Sequence, residues 1–523
     1  MRDNGIGSWT TRRARMDPHG VAFVERGRAL TYLQIHQRAE RIAHVIRARG
    51  VVAGDRVAYL GYNSTDFIAT MFATAKLGAV TVPLNTRLAA PETAYILQDS
   101  APSLFIWTGP FASIVASPEV TALGLQTLRV EPGDGESLSE LAGLGEGESV
   151  DDGATGARVV TSDEPVELPD LFMIQYTSGT SGRPKGVQLT HGNITWNVYN
   201  LLVDVDIRSD ERSLVVAPLF HTAALNQILF PTFLKGGTSY IEASFDPAAA
   251  LRLIESERIT TLFGVTSMYL SLRQQSAWES TDLSSLRSAL SGGAPLPVPL
   301  LESYLERGLM IIQGYGLTES SPGATMLRAA DGVRKVGSAG SACFFSDTRL
   351  VDPTGADVTV GQIGEILVQG PNVTPGYWHQ PAATEVAFTD DGWLHTGDLG
   401  RLDDEGYLYV VDRVKDMIIS GGENIYPAEV EQAIHSHADV AECAVIGVPD
   451  EKWGEVGRAV VVPRSGSSLT AEDVLAHLDG RIARYKIPKT VIIVEELPHN
   501  ASGKLVKTRV REEFGTTNAQ ETP

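Results

Sequence analysis

A chain of 523 residues with 43% hydrophobic content holds more apolar surface than one core can use, so at least two domains are expected. Asp and Glu number 64 against 43 Lys and Arg, a formal net charge of −21 with no Lys/Arg run to offset it, which excludes nucleic acid and a strongly anionic membrane as general partners. The two cysteines, Cys343 and Cys443, each lack a second Cys or a His at metal-ligand spacing, so neither a disulfide framework nor a zinc site is expected.

Taken in chain order, residues 1–15 carry basic groups with no apolar stretch behind them, the pattern of neither a signal peptide nor an anchor, and the cytoplasm is the expected compartment. Thr31 and Gln34 form a capping box, Leu33, Ile42, Ala43 and Ile46 recur at helical spacing, and Gly50 offers a stop, which predicts a helix. An apolar run over 56–60 predicts a strand, Ser64 opens a second helix that ends at Gly78, and 80–83 reads as another strand. This alternation of strand and helix argues for α/β layers. Residues 131–165, rich in Gly, Ser, Asp and Glu, read as mostly surface loop, and no fixed-period repeat is visible.

Three apolar runs then each lead into a loop of small and polar residues: 171–176 into 177–186, 286–290 into 291–295, and 309–312 into 313–319. Ligands of open α/β sheets sit beyond the carboxyl ends of strands, so three such loops side by side would build one site. The chain changes character at the charged stretch 412–416. The expected division is a large domain over 1–412 and a small α+β domain over 413–523.

In the first of the three loops, glycines at 179, 182 and 186 let backbone approach an anion, Thr177, Ser178, Thr180 and Ser181 add hydroxyls, and Lys185 adds charge. Lys185 stands between Pro184 and Gly186, which breaks the Walker pattern and argues against a P-loop NTPase. A plain surface turn has the same composition, so this loop alone leaves both readings open. In the third loop Tyr315, between Gly314 and Gly316, suits stacking on a base, and Glu319 suits a magnesium ion shared with phosphate oxygens.

Six segments agree together and in order: 176–186 (Tyr-Thr-Ser-Gly-Thr-Ser-Gly-Arg-Pro-Lys-Gly), 314–319 (Gly-Tyr-Gly-Leu-Thr-Glu), 395–398 (His-Thr-Gly-Asp), 412–416 (Asp-Arg-Val-Lys-Asp), 421–429 (Gly-Gly-Glu-Asn-Ile-Tyr-Pro-Ala-Glu) and 500–504 (Asn-Ala-Ser-Gly-Lys). With these the sequence resembles the acyl-CoA synthetase branch of the adenylate-forming superfamily, and is most similar to its bacterial fatty-acyl-CoA synthetases. The resemblance implies a large lobe of layered sheets and helices with a small mobile C-terminal domain. It also implies ATP, Mg²⁺ and, as co-substrate, coenzyme A. Thr177, Ser178, Gly179, Thr180, Ser181, Gly182 and Lys185 would hold the β and γ phosphates. Gly293, Ala294 and Pro295, with Gly314, Tyr315 and Gly316, would enclose adenine. Asp398 would bind the ribose hydroxyls, and Arg413 the ribose or α-phosphate. Glu319, beside Thr318, would coordinate magnesium, and Lys504 would bridge carboxylate and α-phosphate.

The chemistry suits these residue types, because joining two anions needs screening and alignment rather than a strong base. By the same resemblance His221 would border the carboxylate site, Lys415 would be the hinge of the small domain, and Gly421 and Gly422 would let the pantetheine arm pass. Trp453, in the segment 450–455, looks like the CoA-using branch. The acyl pocket is expected along 222–233, 265–268, Gly292 and Gly314, mostly small or apolar with Asn226 and Gln227 as polar exceptions, which favours a fatty or aryl acid. Thr222 stands where amino-acid-activating relatives often carry Asp. The expected partner is therefore a small-molecule carboxylic acid, with at most peripheral membrane contact and room for a homodimer. A ligase that loads a carrier protein, activation of an unusual biosynthetic acid, and a catalytically silent nucleotide binder are the alternatives left by sequence.

Overall fold

In the computed structural model, which describes residues 4–133, 135–144, 164–177, 184–293, 296–420, 423–450, 452–499 and 505–515, Thr31 and Gln34 cap each other's backbone at the head of the helix Tyr32–Ala48. Ser64 caps the helix Thr65–Lys76 by accepting from the Phe67 amide, and Gly78 turns the chain out of that helix with φ +64°. Between and after these helices lie the expected strands Arg56–Leu60 and Val80–Pro83, paired in parallel.

Those strands belong to a six-stranded sheet in the order Thr127–Arg129, Leu104–Trp107, Arg56–Leu60, Val80–Pro83, Leu171–Thr177, Lys185–Thr190. All of its pairings are parallel except the last, an antiparallel hairpin. A nine-stranded sheet runs Ser341–Ala342, Gly323–Met326, Ile311–Gly316, Ser288–Ser291, Thr261–Gly264, Arg212–Val215, Thr238–Ile241, Val21–Glu25, Arg28–Thr31. It is parallel from Ile311–Gly316 through Val21–Glu25 and antiparallel at both edges. Strands Val80–Pro83 and Thr261–Gly264 are buried at every residue, as a parallel sheet covered on both faces requires. The largest apolar cluster joins both sheets to the helices through Phe23, Phe72, Phe172, Phe230 and Phe233.

The chain forms two compact units, Met1–Thr348 with Val368–Leu394, and Arg349–Leu367 with His395–Pro523. The sequence boundary at 412/413 falls inside the second unit, because strand Leu394–Leu402 is paired to Leu408–Arg413 and stays with it. The second unit has its own cores. One gathers Ile418, Val430, Ile434, Val445, Val461 and Leu478, and the other Ile446, Val460, Leu497 and Val510. Its long strands Val440–Asp450 and Gly454–Pro463 pair antiparallel, flanked by helices Pro427–His435, Ala471–Leu478 and Lys507–Phe514. Cys343 and Cys443 are both free and buried. Within 131–165, read from sequence as loop, the described part includes a one-turn helix, Leu138–Leu141, capped by Ser137 and anchored by the buried Leu138.

Candidate active site

The glycine-rich segment joins the two strands of a hairpin, with Thr177 opposite Lys185 and Tyr176 opposite Gly186. The base of this hairpin is fixed from the helix Ala90–Ser100. The Tyr176 hydroxyl donates to Asp99 Oδ2 at 2.5 Å, and the Tyr95 hydroxyl donates to the Pro184 carbonyl at 3.3 Å. Ser178, Gly179, Thr180, Ser181 and Gly182 lie outside the described residues, as do Ala294, Pro295, Gly421, Gly422 and Lys504.

A second element lies alongside the hairpin. The Trp378 amide donates to the Gly186 carbonyl at 2.7 Å, and the Gln188 amide donates to the Gly376 carbonyl at 3.0 Å. Thr374 starts this strap, donating its hydroxyl to the Gln188 carbonyl and its amide to the Glu319 carbonyl at 2.7 Å. Tyr377 then donates its hydroxyl to Glu319 Oε1 at 2.9 Å, while Lys185 Nζ rests 4.8 Å from the centroid of the same ring. Burial, with the Glu319 charge adding to it, raises the Tyr377 pKa, so the phenol remains a donor. Lys185 and Glu319 are thus brought to one ring. Tyr377 and Thr374 were not singled out by sequence; the available signal was the turn composition Pro375-Gly376 ahead of two aromatic residues.

Thr318 and Glu319 open a single 3₁₀ turn, Thr318–Ser320, directly after the strand Ile311–Gly316. Sequence placed Gly314, Tyr315 and Gly316 in a loop, but the strand continues through them because Gly323–Met326 returns to pair with them, Tyr315 opposite Thr325. A Cβ at Gly316 would sit 1.6 Å from the Pro322 carbonyl oxygen, so this approach of two backbones admits only glycine. The neighbouring strand Ser288–Ser291 is in register with it, Ser291 beside Gln313, and leads into Gly293 at φ +86°. Two of the three expected loops are therefore adjacent in one sheet, and the strap joins the third to them.

His221 lies in the N-cap position of the short helix Thr222–Ala224, with its ring 4.6 Å from that of Phe220. The preceding turn is held by Asn63, which donates to the Ala217 carbonyl at 2.9 Å and accepts from the Leu219 amide at 2.8 Å. Nε2 of His221 is shielded from solvent and has no hydrogen-bond partner among the described residues. Burial, with the Arg87 charge adding to it, pushes the pKa down to about 4, so the ring is neutral near pH 7. From Leu225 to Leu229 the helix is wound as a π-helix before resuming as Phe230–Lys235, a geometry that re-aims side chains and recurs at functional sites. Asn226, in that segment, donates to the Ser321 carbonyl at 3.0 Å and its own carbonyl accepts from Asn197 at 3.1 Å. Its Oδ1 is buried without a partner among the described residues, and so are Ser291 Oγ and Ser321 Oγ.

In the second unit Asp398 stands opposite Arg413 on adjoining strands, and their side chains pair at 3.1 Å. The strand ahead of Asp398 is held by Glu365, which pairs with His395 at 3.0 Å and accepts from the Gly397 amide at 3.1 Å. Asp412 caps the next helix by accepting from the Ala428 amide at 2.8 Å, and Asp416 pairs with Arg511 at 2.6 Å. Between them Lys415 has its pKa lowered, first by burial and then by the Arg413 charge. Trp453 is exposed, with Lys452 Nζ 4.7 Å from its ring centroid. A separate concavity, lined by Asp210, Arg212, Thr238, Arg258 and Thr260, lies at the amino ends of the nine-stranded sheet. Its charges are already paired, Arg212 with Glu257 at 3.0 Å and Arg258 with Asp282 at 2.6 Å, so the candidate site is the one at the carboxyl ends.

Residues 10–378 match the AMP-binding enzyme family, and residues 429–504 match the AMP-binding enzyme C-terminal domain. The chain is 50% identical over 515 residues to a feruloyl-CoA synthase of Amycolatopsis sp, covering 98% of this chain and 100% of that protein. It is 39% identical to the long-chain-fatty-acid–CoA ligase FadD13 of Mycobacterium tuberculosis, covering 98% and 99%. Among solved structures, o-succinylbenzoate CoA synthetase (MenE) of Bacillus subtilis, in complex with its acyl-adenylate intermediate, superposes with a TM-score of 0.86 at 33% identity, covering 98% and 99%. The chain belongs to the AMP-binding enzyme family, in its acyl-CoA synthetase branch. It is an ATP-dependent acid–thiol ligase that adenylates a small carboxylic acid and passes the acyl group to coenzyme A.

Proposed function

We propose that the acid is an aryl acid of the cinnamic type carrying a ring hydroxyl. The observation that carries this reading is the buried Oδ1 of Asn226, unpartnered among the described residues, on a π-helix whose other residues are Leu225, Gln227, Ile228 and Leu229. A buried amide oxygen left without a donor costs about 1–3 kcal/mol. A fatty chain leaves that cost in place, whereas a phenol hydroxyl removes it. The 50% identity to a protein named feruloyl-CoA synthase supports the same choice.

The roles of individual residues are those the family resemblance implies, and for Lys185, Glu319, His221, Asp398 and Arg413 the geometry above supports them. Lys185 and the hairpin loop from Thr177 to Gly182 would take the β and γ phosphates. Tyr315 with Gly293, Ala294 and Pro295 would take adenine, and the Asp398–Arg413 pair the ribose and α-phosphate. No group of three or more His, Cys, Asp or Glu able to hold a metal occurs among the described residues. A single carboxylate, Glu319, held by a hydroxyl and near a lysine, fits magnesium, which is bound by one or two carboxylates together with substrate phosphates. Magnesium bound there would neutralise phosphate charge in the attack of one anion on another. His221, neutral and with Nε2 shielded, would border the acid's carboxylate without adding a charge. Lys504 would bridge the reacting carboxylate and α-phosphate.

For the thiol step, the reading keeps 413–523 as the mobile part with Lys415 as hinge, Gly421 and Gly422 as the pantetheine passage, and Trp453 toward coenzyme A. Because ATP and coenzyme A are supplied in the cytoplasm, the enzyme is assigned there, with at most peripheral membrane contact; no described helix is long and apolar enough to cross a membrane.

The test is acid-dependent ATP–pyrophosphate exchange with ferulate, p-coumarate, cinnamate, decanoate and palmitate. Hydroxylated cinnamates should exceed cinnamate by about tenfold in kcat/KM, the scale of one buried hydrogen bond, and Asn226→Leu should erase that preference. Faster exchange with decanoate or palmitate than with any cinnamate would remove the aryl reading.

A further inference from the structure

The strand Leu171–Thr177 leads into the glycine-rich segment, and its successive side chains leave on opposite faces. Tyr176 goes to one face, where its hydroxyl meets Asp99. Gln175 goes to the other, where its Nε2 donates to the carbonyl of Phe220, 45 positions further along the chain. That carbonyl belongs to the peptide unit that delivers His221. The N–H of the same unit, the His221 amide, donates to the Pro218 carbonyl at 3.1 Å. The peptide plane ahead of His221 is therefore held at both edges, and the direction in which His221 leaves the main chain, at φ −106°, is set from there. Asn63 holds only the earlier part of the turn, at Ala217 and Leu219.

Stability does not account for a glutamine at this position. Gln175 is 2% exposed, the preceding Met173 and Ile174 are apolar and equally covered, and Gln175 Oε1 is buried with no partner among the described residues. A buried acceptor left without a donor costs as much as the one hydrogen bond at the other end of the amide returns, or more. An apolar side chain of similar length would serve the fold as well. What only the amide supplies here is a donor for the Phe220 carbonyl.

We infer that Gln175 is a positioning residue for the acid: through the Phe220 carbonyl it sets where His221 stands against the carboxylate common to every acid the enzyme activates. This rests on the reading of His221 given above. It differs from the part proposed for Asn226, which concerns what distinguishes one acid from another. Loss of the Gln175 donor should therefore weaken all acids by one factor and leave their ranking alone.

The experiment is ATP–pyrophosphate exchange by the full-length Gln175→Met protein, with acid and ATP varied in turn, for every acid of the panel above that supports exchange, alongside thermal denaturation. KM for each acid should rise about tenfold, below the roughly hundredfold of a full 1 Å misplacement. KM for ATP should stay within about twofold and the order of the acids should be kept. The melting temperature should stay within about 3 °C of the parent, since removing one unpaired polar atom offsets stranding another. A glutamine that only supports its strand would act on the ATP side too, because Thr177 lies two residues on. A rise in KM for ATP matching that for acid, no rise in either, or a changed order of acids would overturn the inference, and so would a variant too unstable to assay. His221→Ala is the control for the underlying reading. An unchanged KM for acid in that variant removes His221 from the carboxylate, whereas a raised KM there beside an unaffected Gln175→Met removes only the role of Gln175.

Discussion

At the Lys185–Glu319 corner both charged groups rest on a neighbour that is itself pinned, whereas in the His221–Asn226 region polar atoms are shielded from water and left without partners among the described residues. The first corner is assembled from three distant stretches of chain that hydrogen-bond to one another through backbone. The second is one continuous stretch, changed in pitch by a π-helix. On the proposed reading of the site, the difference separates two tasks. A triphosphate presents the same charges at every turnover, so its receptors can be fixed beforehand at little cost to generality. Discrimination among acids depends on which buried group the correct acid satisfies and the wrong one strands, and that requires atoms kept in want of a partner.

The sharpest way to break the comparison is at Lys504. Lys504→Ala should lower adenylation by roughly 10²–10³-fold, the scale of losing one charge-stabilising group, while chemically prepared acyl-adenylate is still converted to thioester. Single-turnover measurements of the two steps check it. Equal loss in both would show that the lysine does not belong to the triphosphate side alone.

Gly316→Ala probes how rigid the fixed corner is. The added methyl would meet the Pro322 carbonyl oxygen at 1.6 Å and its carbon at 2.8 Å, both backbone atoms, so the hairpin must open, and stability should fall by about 3 kcal/mol with loss of pyrophosphate exchange. Urea denaturation of the variant beside the parent protein measures it. A variant of full stability would mean that this corner yields more readily than its hydrogen bonds imply.

The smallest effect concerns protons. His221, with its pKa pushed down to about 4, stays neutral in the folded chain while an ordinary histidine in the unfolded chain gains a proton below about pH 6.5. The unfolded state therefore binds more protons between these values, and stability contributed by the neutral ring is lost as pH falls from about 6.5 toward 4. His191, buried and pushed down to about 3, acts in the same direction. His221→Phe should make the melting temperature fall less steeply over that interval, with His191 preserving part of the slope. An unchanged slope would show that His221 is not shielded as described.

Much of the fold was legible where a local rule decides the outcome. The capping box at Thr31 and Gln34, the Ser64 cap and the strands Arg56–Leu60 and Val80–Pro83 stand where side-chain chemistry and periodicity put them. The loop at Gly314–Gly316 was misread because its extension as a strand depends on a partner, Gly323–Met326, that no periodicity in those residues announces. Sequence assigned 395–412 to the first domain because the charged stretch at 412–416 is conspicuous, whereas the pairing of Asp398 with Arg413 across two strands is not visible along the chain. At the site, Lys185 and Glu319 were found by their residue types and glycine neighbours. Tyr377 and Thr374 were not, since their role arises from a backbone alignment with residues 186 positions away in the case of Thr374 and Gln188.

That alignment bears on the order in which the protein is made. The hairpin carrying Lys185 emerges from the ribosome long before the strap at Thr374–Trp378 exists to lie against it, and Val21–Glu25 likewise waits for its parallel neighbour Thr238–Ile241. Contacts so remote in sequence form late and expose strand edges meanwhile. A nascent chain halted before residue 374 would thus present the Lys185 hairpin without the strap that lies against it, and the proposed nucleotide site would have to await nearly the entire first unit.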